Sequence, residues 1–203
     1  MNQEFWWNWW VQVAVAVGTI GAVVTALWAA LRQPYRPLLK LKILREDGER
    51  AFLESGEDAR YYHIKVWNEN RSTSLASRVQ VYFTLLEETD KPNGNLREVW
   101  QGNLPLRWRD QEYVPRFQKI GSAKDADLCM IRKQGGLSLL PLFMPYNLLP
   151  YAHRKGACRL VLSLQARSNQ ADSEPLRIQI CWDGIWADGD TEMKEHLQVK
   201  ALP

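Results

Sequence analysis

Basic and aromatic side chains interleave through LRWRDQEYVPRFQK at 106–119, where Arg107, Arg109, Arg116 and Lys119 alternate with Trp108, Tyr113 and Phe117. Guanidinium forks grip phosphate oxygens and aromatic faces stack on bases, so this stretch is the candidate contact for a phosphate, a nucleotide or a lipid headgroup. A strand that ends in a long loop gives the same composition with no ligand at all. The whole chain, with 26 Lys and Arg against 23 Asp and Glu, has a net charge of only +3. That excess is too small to indicate a nucleic-acid partner.

The acidic run DGIWADGDTE brings Asp183, Asp188, Asp190 and Glu192 within ten residues. Loop carboxylates can ligate Ca²⁺, but the spacing differs from an EF-hand, and Trp182-Asp183-Gly184-Ile185 reads as a tight type I′ hairpin turn. We favour the turn. His63, His153 and His196 share no motif, with His63 mid-strand on the expected wet face and His153 in the basic loop His153-Arg154-Lys155, which suits anionic lipid. Cys129, Cys158 and Cys181 have no close spacing and read as buried reduced thiols. The chain has no nucleophile elbow, phosphate-cradling glycine loop, HExxH or CxxC. The expectation is a non-enzymatic protein with no cofactor, no metal and no catalytic residue.

The elements that would position these residues begin with a helix. Residues 1–31 carry one charged side chain, Glu4, and the 21 residues from Val11 to Leu31 carry none. At ~1.5 Å per residue they reach about 30 Å, the hydrocarbon thickness of a bilayer. Trp6, Trp7, Trp9 and Trp10 before this run, and Trp28 and Tyr35 near its end, suit interfacial belts, and Pro34 and Pro37 stop the helix. The expected organisation is an extracytoplasmic aromatic N-terminus at 1–10, a transmembrane helix at 11–32, a linker at 33–37 and a β-domain at 38–203. The opening MNQE lacks the basic character of a cleaved signal. Arg32, Arg36, Lys40, Lys42 and Arg45 follow the helix, so the positive-inside rule places the N-terminus outside and the β-domain in the cytosol, close to the headgroups. Ala14, Gly18, Ala22 and Ala26 recur at four-residue spacing, a pattern that permits close helix–helix approach and hence a homo-oligomer.

Past Pro37 the apolar period changes to two. LLKLKIL (38–44), YYHIKVW (61–67), SRVQVYFTL (77–85), CRLVLSLQAR (158–167), LRIQICW (176–182) and HLQVKAL (196–202) alternate cleanly, with less regular runs at 97–108 and 126–132. Turn-rich segments separate them. The expectation is seven to nine strands in an antiparallel β-sandwich or small barrel, with at most a short helical turn at 190–197. FMPYNLLPYAH (143–153) reads as a cover over a sheet edge, with Phe143 and Leu148 as buried anchors, or, if exposed, as a partner-binding patch.

The anchor VAVGTIGAVVTALWAALR, the pair YYHIKVWNENRSTSLASRVQVYFTLLE and the terminal ICWDGIWADGDTEM together resemble small bacterial single-pass membrane proteins of uncharacterised function. The resemblance implies an inner-membrane location, and the strand pair looks like an immunoglobulin- or fibronectin-type fold. The expected function is a membrane-anchored protein-interaction or scaffolding module, its partners the lipid bilayer and a protein. The alternative is a ligand-gated effector or sensor of a bacterial defence or signalling system, oligomerising through its helix.

Overall fold

In the computed structural model the chain is mainly β, with two antiparallel sheets and one N-terminal apolar helix. The described residues are 3–31, 36–70, 75–89, 95–109, 117–120 and 123–203. They fall into two units, Met1–Tyr35 and Arg36–Pro203.

The first unit is the helix α1 (Gln3–Leu31). It starts before the aromatic cluster, because residues 3–10 contain no Gly or Pro to break it. Trp6, Trp9 and Trp10 therefore sit on its opening turns, with edge-to-face contacts at 6.1 Å for Trp6–Trp9 and 4.9 Å for Trp9–Trp10. Trp6–Trp28 is long and apolar enough to cross a membrane, and none of it is buried. Those 23 residues reach ~35 Å, a hydrocarbon core plus part of the interface. Thr19 and Thr25 donate to the carbonyls of Val15 and Gly21 in the preceding turn, so both hydroxyls are satisfied inside the helix.

Among its described residues the second unit holds twelve strands, more than the alternation predicts. The first sheet contains β1 (Leu39–Ile43), β2 (Glu49–Phe52), β3 (Asp58–Asn68), β7 (Lys124–Arg132), β8 (Gly136–Leu139) and β9 (His153–Arg154). The second contains β4 (Ala76–Thr89), β5 (Arg97–Pro105), β6 (Gln118–Ile120), β10 (Cys158–Arg167), β11 (Leu176–Trp182) and β12 (Leu197–Leu202). Each sheet is organised about a long strand. Along one edge of β3, β1 pairs with residues 64–68 and β2 with 58–61. β4 likewise takes β10 on one side, and β5 and β6 in succession on the other.

Alternation sends Tyr62, Ile64 and Val66 of the first sheet, and Leu160, Leu162, Leu164, Ile178 and Ile180 of the second, into one buried cluster. Burying each such side chain contributes roughly 1.5–3 kcal/mol, so this shared cluster is the main stabilising term for the unit. One segment pairs with strands of both sheets. Leu104 pairs with Phe83 in the second sheet, and four residues on Trp108 bridges Ala126 in the first.

Two short helices complete the unit, α2 (Leu149–Ala152) and α3 (Asp190–His196). The second meets the expectation of a short helical turn at 190–197. The tight hairpin expected at Trp182–Ile185 does not form. β11 and β12 do pair, but residues 183–196, including α3, intervene, and Asp183 instead accepts the Ile185 N–H at 2.9 Å. Leu148 is a buried anchor as expected, whereas Phe143 is 57% exposed. The reason is local: the segment 141–152 seats Leu148 and Ala152 fully inward with Met144 and Tyr151 partly packed beside them, and Pro145 accepts N–H bonds from both Leu148 and Leu149.

Candidate functional site

The alternation that buries Trp108 at 3% exposure turns Arg107 and Arg109 together onto the opposite face of the first sheet. Backbone bonds hold them there, Arg109 N–H to the Asp125 carbonyl at 2.9 Å and Asp127 N–H to the Arg107 carbonyl at 2.8 Å. A register shift between β3 and β7 sets His63 opposite Asp127. The result is a chain of charge. Arg107 Nε donates to Asp127 Oδ2 at 3.0 Å, and Asp127 Oδ1 meets His63 Nδ1 at 3.0 Å. His63 Nε2 lies 4.0 Å from Glu49 Oε2, and Glu49 Oε1 accepts from Arg109 at 2.6 Å. Tyr61 stacks parallel to the imidazole at 6.1 Å.

His63 was expected on a wet face and is only 7% exposed. The face is polar as the period predicted, but Glu49, Tyr61 and the 107–109 segment cover it. The Asp127–His63 pair has the form of an oriented general base. Among the described residues no hydroxyl or thiol hydrogen-bonds the imidazole. Any phosphate reaching Arg107 or Arg109 has to compete with Asp127 and Glu49. Lys119 is exposed on β6 of the second sheet and is not brought to these arginines, and Arg116 lies outside the described residues.

An open groove of about 680 Å³ lies elsewhere, at the end of the second sheet. Its walls come from the end of β4 (Glu88, Thr89), β9 and the loop after it (Arg154, Ala157), the start of β10 (Cys158, Arg159), the end of β11 (Gln179, Cys181, Trp182, then Asp183), and the α3–β12 junction (Glu195, His196, Gln198). Glu88, 8% exposed, is paired with Arg154, whose guanidinium also lies 5.7 Å from the Tyr151 ring centre. Across the groove His196 Nδ1 meets Asp183 Oδ2 at 2.7 Å. Partial burial raises the Asp183 carboxyl, but the His196 and Ile185 hydrogen bonds and the nearby imidazole outweigh it, leaving it below the ordinary carboxylate value.

The Cys158 thiol is not armed. Burial pushes the Cys158 thiol up to about 12, with Arg154 opposing and Glu88 and Cys181 reinforcing the rise. A thiol that high is neutral near pH 7 and a poor nucleophile. Cys181 takes the Gln179 amide N–H at 2.8 Å. All three cysteines are free thiols; Cys129 is buried as expected, while Cys158 and Cys181 are half-buried.

The acidic run does not converge on a cation site. Asp183 turns to His196, Asp188 to Lys133 at 3.0 Å, and Asp190 to the buried Arg60 at 2.8 Å. Among the described residues no three His, Cys, Asp or Glu gather as metal ligands.

The groove was invisible to sequence reasoning because its walls span residues 88–198 and its strongest pairs join distant elements. The one local signal was the DGIWADGDTE run, which marks its Asp183 rim. Comparison of the chain with protein-family models, curated proteins and solved structures returned no match.

Proposed function

We propose that this chain is a membrane-anchored interaction module, non-enzymatic, that recognises a polar segment of a partner protein in the groove between Glu88 and Gln198. The observation that carries the anchoring is the uncovered helix, apolar from Trp6 to Trp28 with none of it buried. Left in water, that surface would cost on the order of 25 cal/mol per Å². A bilayer removes the cost. The basic residues after the helix, Arg36, Lys40 and Lys42 among them, favour a cytosolic β-unit at the inner membrane of a bacterium. The single buried cluster shared by both sheets supports a β-sandwich over a barrel, and the immunoglobulin likeness stays at the level of two antiparallel sheets.

The groove favours a peptide over a simple anion. Three carboxylates (Glu88, Asp183, Glu195) face two guanidiniums (Arg154, Arg159) and one imidazole, so neither sign dominates. Gln179, Gln198 and Thr89 add neutral donors and acceptors suited to amide groups. The test is mass spectrometry of proteins that co-purify with the full chain in mild detergent, beside an Ala157→Trp variant that fills the groove. A recurrent companion lost from the variant supports the reading. A companion set unchanged by the variant, or no companion, sinks it.

A second reading rests on α1 itself. Gly18 and Gly21 carry no side chain to hold a second helix away from their flank. With Ala14, Ala22 and Ala26 it would form the seam of an oligomer, as a ligand-gated effector or sensor requires. Under that reading Gly18→Leu with Ala22→Leu abolishes both oligomer and function. Under the scaffold reading it leaves companion binding intact.

A further inference from the structure

The segment between β8 and β9 leaves three large apolar side chains in water: Phe143 at 57% exposure, Tyr146 at 91% and Leu149 at 46%. Their platform is built rather than loose. Leu148 is fully buried beneath them, Asn147 accepts from Trp100 Nε1 at 3.2 Å, and the Leu148 carbonyl takes the N–H groups of Tyr151 and Ala152. Pro145 and Pro150 restrict the backbone at both turns. A fold that fixes Leu148 inward while presenting Phe143, Tyr146 and Leu149 outward is shaped to meet something apolar.

The surrounding sequence says of what kind. From Leu128 to Ala171 there is no Asp or Glu, while His153 and Lys155 just past the loop are exposed. Aromatic tips followed in sequence by the Lys155 ammonium, with no carboxylate in the same stretch, complement an interface of apolar chains and anionic headgroups. The chain brings such a surface within reach. Seven residues, 32–38, separate α1 from β1, and at full extension they span about 25 Å.

The geometry points to a second membrane contact: the loop 143–149 dips Phe143, Tyr146 and Leu149 into the interfacial layer of an anionic bilayer, with Lys155 and His153 at the headgroups. The inference rests on the anchoring proposed above. Its consequence is a β-unit held by two points, α1 and this loop, with the groove left for the partner.

The experiment uses the full chain with Cys181→Ser, reconstituted in phosphatidylcholine vesicles with a minority of phosphatidylglycerol. An environment-sensitive dye is attached at Tyr146→Cys or, separately, at Val17→Cys in the helix. Expected is quenching of both dyes by lipids spin-labelled on their acyl chains, with the residue-146 dye quenched by shallow labels and released when phosphatidylglycerol is omitted. Quenching at 17 without quenching at 146 overturns the loop contact and leaves the anchor standing. Loss at both positions overturns the anchor and the loop together. Quenching at 146 that ignores phosphatidylglycerol overturns the anionic assignment, and cross-linking of residue 146 to a second copy replaces the bilayer with self-contact.

Discussion

Replacing Asp127 tests the charged chain on the first sheet at its centre. Its carboxylate is 7% exposed and serves two cationic or polarised partners, Arg107 Nε and His63 Nδ1, each at 3.0 Å. Asp127→Ala leaves both donors without their acceptor. Each charge-assisted hydrogen bond contributes ~1.5–3 kcal/mol. Breaking a buried pair costs ~3–5 kcal/mol, because the surviving partner stays desolvated. The His63 side chain, 7% exposed, carries that penalty nearly in full, whereas Arg107, 26% exposed, recovers part of it from water. We expect a loss of about 3 kcal/mol for Asp127→Ala, less for His63→Ala and about 1 kcal/mol for Arg107→Ala. The assay is urea unfolding of the full-length protein in detergent, followed by the strand signal in circular dichroism. With a urea slope of ~2 kcal/mol per M, the Asp127→Ala midpoint falls by about 1.5 M. A double-mutant cycle of Asp127→Ala with His63→Ala should return a coupling of roughly 1–2 kcal/mol. A midpoint shift under ~0.3 M, or strict additivity in the cycle, would refute the network as a stabilising unit.

Other perturbations follow from single sites. Gly136 has φ +74°, and a Cβ there would run into the Arg154 carbonyl; Gly136→Ala should cost more than ~2 kcal/mol, read as a lower thermal midpoint. Because the folded Cys158 thiol sits at about 12, above its ordinary 9.0, stability is full below about pH 9. It then falls by up to ~1.4 kcal/mol per unit as pH rises towards 12, and Cys158→Ala flattens that alkaline slope without abolishing it, since burial also raises Tyr62 and Cys129. Asp183 runs the other way: its lowered value gives stability present above about pH 4 and lost as pH falls through the folded value, so unfolding midpoints of wild type and Asp183→Asn converge in acid. Thiol reagents at neutral pH should label Cys181 well before Cys158 or Cys129, as counted by mass.

Much of the fold was legible in the chain. Six alternating runs became β1, β3, β4, β10, β11 and β12, because a half-wet strand writes its period into consecutive residues. The strands that escaped are short or covered on both sides. β8 is buried at all four positions, so it has no wet face to alternate with, and β9 is two residues long. His63 and Phe143 were misjudged for the same physical reason in opposite directions. Local period assigns a face, but what lies over that face is decided by segments far along the chain, here Glu49 and residues 107–109 over His63 and nothing from the unit over Phe143. The arginines of the basic run were found and their partners were not, since Asp127 and Glu49 come from other strands.

The segment from Leu104 to Trp108 gives the β-unit a mechanical character. It leaves one ladder and enters the other within five residues, with Leu106 donating its N–H to the Val81 carbonyl and bridging Pro141 on the way. It acts as a hydrogen-bonded tie-bar between two plates that also exchange chain at the β3–β4, β6–β7 and β9–β10 crossings. Loop crossings and side-chain contact alone would leave the plates freer to slip past one another under load. The tie resists that sliding near Trp108, so a tug on either plate is carried to the other through main chain that is paired in both.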